Sequence, residues 1–171
     1  DRDADRYFQI LERAPDSLDS QTLFLPKAFY VALGQELQGD TAAARRAHET
    51  TLAIMQRRRN ENPEDFRVWA TLGFAYAGLG RPEEAAEAAH RYVAEAPIPD
   101  EDVYFRRFYE GTELAILASA GLVDEALDRL EFLLSVPSTV SVPRIRLNPN
   151  WDAFRDNPRF RMLLEEHKPS S

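Results

Sequence analysis

No cysteine occurs anywhere in the chain, which excludes a disulfide framework, a thiolate metal site and a cysteine nucleophile while leaving the compartment open. Glycine is scarce as well, with seven in 171 residues. None of the seven lies in a phosphate-cradling run or a Gly-x-Ser-x-Gly elbow. No apolar run approaches the roughly 20 residues that a membrane helix needs, and no charged, apolar, small-residue leader opens the chain. An excess of positive charge is also missing: 21 Lys and Arg against 29 Asp and Glu give a net charge of −8. The cations are scattered, so a nucleic-acid surface is not expected. What is present, 44% hydrophobic and 29% charged residues, suits a folded domain. The chain starts at Asp1 in mid-helical pattern and is expected to be a piece of a longer protein. Its location is not fixed by the sequence; cytoplasmic is the default, and a membrane-tethered parent is the open alternative.

The most informative stretch runs from Trp69 to Pro97, WATLGFAYAGLGRPEEAAEAAHRYVAEAP. Trp69, Leu72, Gly73 and Tyr76 recur at steps of three and four, so they share one helical face. Gly80-Arg81-Pro82 then supplies a residue suited to the left-handed backbone that closes a helix and a proline suited to the first turn of the next. Small residues at Gly73, Ala85, Ala88 and Ala89 are expected to let the second helix of this hairpin approach the first. Gly39, Gly80 and Gly121 each stand five residues before an alanine (Ala44, Ala85, Ala126), and the two intervals, 80 − 39 and 121 − 80, are both 41 residues.

Trp, Leu-Gly, Tyr, a later Ala and a closing Pro at these offsets resemble the tetratricopeptide repeat (TPR). Ala89 stands where that family commonly has an aromatic and Tyr92 where it commonly has Ala. Its unit is about 34 residues, so each interval here carries seven more, about two helical turns, which returns the apolar stripe to the same side. The first excess lengthens the helix ending near Asn60; the second falls around Asp100 to Arg106. Similarity in PKAF, GFAYAGLG, LEFLLSVPS, SVP, NPNWD and NPRF, from about Pro26 onward, extends to the C-terminal TPR region of large bacterial signalling proteins. In those proteins the repeats follow a Ser/Thr kinase, nucleotide cyclase or winged-helix domain. Asn148 stands where Asp is commoner in that ending.

The expected fold class is therefore all-α, a right-handed superhelix of TPR-like hairpins (an α-solenoid) with a C-terminal capping strap and helix. Residues 1–15, with Ala4, Tyr7, Phe8 and Leu11 on one stripe, form a partial preceding repeat helix ended by Pro15. Residues 16–22 are expected to be a linker, and 23–136 to form three TPR-like hairpins. In the third, Glu110 and Glu113 fall where apolar groups belong. Residues 137–168 form the cap segment. There Pro137, Pro143 and Pro149 argue for an extended strap with Val140, Val142, Ile145 and Leu147 partly buried. Asp156 or Asn157 then caps a short helix starting at Pro158, with Phe160, Leu163 and Leu164 inward.

No residue set proposes chemistry. His48, His90 and His167 lack a second ligand at helical metal-site spacing, so no metal, no cofactor and no catalytic residue is expected. Arg57-Arg58-Arg59 reads as a solvated helix end. Trp69 and Tyr76 read as core rather than as a stacking pair. The resemblance implies that the first helices of the hairpins line a concave, protein-binding wall. Carried over position by position, that wall is Phe29, Leu33 and Glu36 in the first hairpin and Arg67, Ala70, Phe74 and Ala77 in the second. The third supplies Phe108, Gly111 and Ala115. Only Arg67 is basic, so a cluster gripping a terminal carboxylate is not expected; an apolar peptide, a helix or another domain of the parent chain suits the wall better. Two alternatives stay open: the trough is filled by the chain's own strap, or the segment serves structure and homo-oligomer formation without an external ligand.

Overall fold

The computed structural model describes residues 2–98 and 102–168 of the chain. The chain is mostly helical, in keeping with the all-α expectation. It runs α1 (Arg2–Arg13), β1 (Ser17–Asp19), β2 (Phe24–Pro26), α2 (Lys27–Gln38), α3 (Thr41–Glu61), α4 (Val68–Gly78) and α5 (Pro82–Glu95). After these come α6 (Val103–Ser119), α7 (Val123–Ser135), α8 (Val142–Leu147), a 3-10 turn (Pro149–Phe154) and α9 (Pro158–Glu166). Each helix from α1 to α7 packs on the next in sequence, and α4 also packs on α6.

Local chemistry sets these boundaries. Gly39, Gly80 and Gly121 all take left-handed backbone, φ 75°, 69° and 73°, so each turn between α2 and α3, α4 and α5, and α6 and α7 uses the residue that pays no Cβ penalty there. Asp40 accepts the Ala43 amide at 2.9 Å and Asp102 the Phe105 amide at 3.1 Å, capping α3 and α6. Asn157, rather than Asp156, caps α9, accepting from the Arg159 and Phe160 amides.

Helix α4 is the buried centre, with Val68, Trp69, Ala70, Thr71, Leu72, Gly73 and Ala75 all buried. Gly73 does admit a close neighbour, although not the hairpin partner α5. A Cβ there would lie 2.9 Å from Ile116 of α6, so this glycine sets the distance between α4 and α6. The approach of α5 rests on Ala85, Ala88 and Ala89, none more than 1% exposed. At the other end, Tyr7 and Phe8 of α1 lie over Gly34 of α2, where a Cβ would be 2.6 Å from Tyr7. The side chain of Ala4 and the structure of Asp100 and Glu101 lie outside the described residues.

Two further expectations are corrected here. Residues 16–22 are no linker: Ser17, Leu18 and Asp19 pair antiparallel with Pro26, Leu25 and Phe24, and the first helix of the pair starts only at Lys27. Nor is the strap extended throughout. Pro143 falls in the first turn of α8, where a missing N–H costs nothing, so Val142 and Ile145 become buried in a short helix while Leu147 stays 84% exposed. Glu110 and Glu113, the two misfits of α6, are buried at 7% and 2% exposure and neutralised in place. Glu110 pairs with Arg107. Glu113 meets Arg129 of α7 at 2.9 Å and the Nδ1 of His90 of α5 at 2.8 Å.

Candidate cleft between the helices and the C-terminal strap

Phe108, Gly111, Thr112 and Ala115 follow the helical repeat and therefore form one stripe along α6. Phe74 of α4 lies beside that stripe because Gly73 lets α6 come close. The opposite wall is the strap. Ser138 donates to the Leu133 carbonyl at 2.7 Å, and the Val140 amide donates to the Ser138 hydroxyl at 3.1 Å. This turns residues 139–148 back towards α6, where Gly111 leaves room: a Cβ there would already touch Thr139 at 3.4 Å. Leu23 lines the cleft from the N-terminal side, and Leu114, Ile145 and Trp151 also contribute. The cleft is open to solvent and has a volume of about 520 Å³, within the range of roughly 300–1,000 Å³ usual for ligand sites. Arg144 is the only charged residue among those that line it.

The ten wall residues expected from sequence are therefore divided. Phe74, Phe108, Gly111 and Ala115 meet in the cleft. Phe29 is core, 7% exposed and 5.8 Å from the Phe74 ring, and Ala70 is fully buried. Leu33 and Ala77 are half-buried. Glu36 is exposed and accepts from or is paired with the His48 Nε2 at 2.7 Å. Arg67 is consumed internally: it meets Asp65 at 2.7 Å and Asp19 at 2.6 Å, and donates to the Ser20 carbonyl. Its guanidinium clamps the β1–β2 hairpin onto the start of α4, so no cation on the expected wall remains for a partner. Sequence reasoning missed Leu23, Trp151 and the strap residues as cleft walls. The three prolines signalled a strap, but nothing local signals which helix it faces.

Elsewhere polar groups serve packing. Trp69 is 6% exposed, donates to Glu95 at 2.6 Å and has the Arg59 and Arg91 guanidiniums 4.4 and 4.1 Å from its ring centre. Arg58 lies 3.7 Å from the Phe24 ring centre and pairs with Asp65 at 2.7 Å. Two members of the Arg57–Arg59 run are thus structural, not simply a solvated helix end. His48 is buried against Gly78, and His167 contacts the Leu163 carbonyl at 3.0 Å. His90, half-exposed, overlooks a smaller hollow of about 270 Å³ beside Leu117, Glu125, Asp128, Arg129 and Phe132. Among the described residues no group of three or more His, Asp or Glu side chains is placed to hold a metal ion, and no helix is long and apolar enough to cross a membrane.

Comparison of the chain with family models, curated proteins and solved structures returned no match.

Proposed function

We propose that this chain is a non-catalytic interaction module that holds a polypeptide segment, from a partner or from another domain of its parent protein, in the cleft between α6 and the C-terminal strap. The single observation that carries the reading is a 520 Å³ cleft lined by Phe74, Phe108, Ala115, Ile145 and Trp151 with no carboxylate in its walls. An apolar hollow of that size on a chain of net charge −8 is a place where water is held poorly and apolar side chains are held well. The finer fold assignment belongs to the same reading: three TPR-like hairpins over 23–136, stacked as an α-solenoid, with 1–15 as a preceding repeat helix and 137–168 as the cap. It is supported by the three left-handed glycines 41 residues apart and by the sequential packing of the helices from α1 through α7. A parent of the bacterial signalling kind is supported only by the sequence resemblance from about Pro26 onward.

Selection of a displayed random decapeptide library against the purified chain tests the binding reading. Phe74→Glu and Ala115→Trp serve as controls, each with helicity verified by circular dichroism; Phe29→Glu is unsuitable because Phe29 is core. Selected peptides that lose at least about tenfold in affinity for both variants support it. Peptides held equally well by both, or an empty selection, overturn it.

A further inference from the structure

Resting on that reading of the cleft, we propose that its occupant is an apolar segment flanked by an acidic residue, and that Arg144 of α8 is the group that selects the acidic flank. The cleft is lined by hydrocarbon, by the hydroxyls of Thr112, Thr139 and Ser141 and by Asn148, with one formal charge, that of Arg144. Most other arginines described above are engaged with carboxylates or rings of this chain. Among the described residues Arg144 instead donates only to a backbone carbonyl, that of Thr139, at 3.0 Å. It pairs with no carboxylate among the described residues, and its side chain is exposed. Bonding to a neutral carbonyl fixes the guanidinium beside the strap without cancelling its charge, and the fork keeps donors free for a planar, bidentate carboxylate.

Leu147, one helical turn from Arg144 along α8, lines the same cleft yet is 84% exposed. It belongs to neither hydrophobic cluster of the described residues. A large apolar side chain held out beside an unneutralised guanidinium is the surface that an apolar and acidic segment would cover.

The overall charge of the chain argues the other way, since −8 would draw a cationic ligand from a distance. At physiological ionic strength, however, charges farther than about 8 Å are largely screened. Beside the guanidinium the local charge decides, so the acidic preference contradicts what net charge alone predicts and is a discriminating expectation.

The probes are fluorescein-labelled ten-residue peptides with a central Leu/Phe-rich segment and Glu, Gln or Lys at the flanks, titrated by anisotropy at physiological salt. The expected result is that Glu-flanked peptides bind about tenfold more tightly than Lys-flanked ones, attraction and repulsion each contributing a few-fold at a rim position. Added salt should shrink the difference, and Arg144→Glu should reverse it while Arg144→Gln should abolish it. Arg144 is exposed, so these variants are expected to fold as the parent does. Equal binding of all three flank types overturns the role of Arg144 and leaves the cleft reading standing, whereas failure of every apolar peptide to bind removes both. Self-association of the unliganded chain by light scattering that Ala115→Trp abolishes would place a second copy in the cleft and also overturns the proposal.

Discussion

At the scale of single residues, the Asp65 side chain, 3% exposed, faces the guanidiniums of Arg58 and Arg67 at 2.7 Å each. Burial alone would raise its pKa; the hydrogen bonds and charges of Arg67 and Arg58 outweigh that and hold it below the ordinary carboxylate range. A carboxylate depressed in the folded state adds stability that is complete above its unfolded pKa, near 4, and is lost as pH falls through the lower folded value. The melting temperature should therefore vary little through Asp65 between neutrality and about pH 5 and drop in more acid solution. Asp65→Asn should cost about 3 kcal/mol at pH 7, because the partly buried Arg58 guanidinium loses its counter-charge and Arg67 keeps only Asp19, and should flatten the acid limb of the melting profile. A variant that loses less than about 1 kcal/mol, or keeps the acid limb, would show that the clamp on the β1–β2 hairpin does not matter to stability.

At the scale of elements, the three left-handed glycines make a direct comparison. An added Cβ at Gly39, Gly80 or Gly121 meets nothing within 4 Å, so each Gly→Ala change carries only the backbone penalty of about 1 kcal/mol. The sites lie in separate turns, and urea midpoints of the triple variant should fall by the sum with little change in slope. Gly78→Ala is different in kind. Its Cβ would lie 2.2 Å from the His48 ring, a buried group that must move, and about 2 kcal/mol is expected from overpacking. Gly78→Ala costing no more than Gly80→Ala would show that the His48 ring has room to shift. The same contrast shows what the sequence could disclose. Turns, caps and helix limits depend on neighbours in the chain, so Gly39, Gly80, Gly121, Asn157 and Pro82 were legible. The β1–β2 hairpin was not, because its anchors are distant: Arg67 reaches Asp19, and Thr71 and Tyr92 donate to the carbonyls of Phe24 and Thr22. Four cleft residues were legible through the repeat offsets, whereas Arg144, Leu147 and Trp151 depend on how the strap folds back.

At the scale of the molecule, the core of the described residues divides into two clusters. One gathers Met55, Trp69, Leu72, Ala85, Tyr92, Tyr109 and Ile116 from α3 to α6; the other gathers Leu114, Leu127, Leu130, Trp151, Phe154 and Phe160 from α6 to α9. Helix α6 contributes to both, and the charged set Glu110–Arg107 and Glu113–Arg129–His90 lies along it. Buried ion pairs stabilise little relative to apolar contacts and depend on correct geometry, so cooperativity between the clusters is expected to be weakest here. The C-terminal cluster rests on Trp151, stacked on Phe160 at 5.5 Å and edge-on to Phe154 at 5.1 Å. Trp151→Ala should cost about 3–5 kcal/mol. In native-state hydrogen exchange the loss should appear in α7, α9 and the second half of α6, while amides of α4 and α5 keep their protection, as expected when each unit leans only on its neighbours. The strap would loosen with the cluster, so the same variant should also lose cleft binding without any change to Phe74 or Phe108. An equal fall in protection from α3 to α9 would show instead one cooperative core, and would contradict the division at α6.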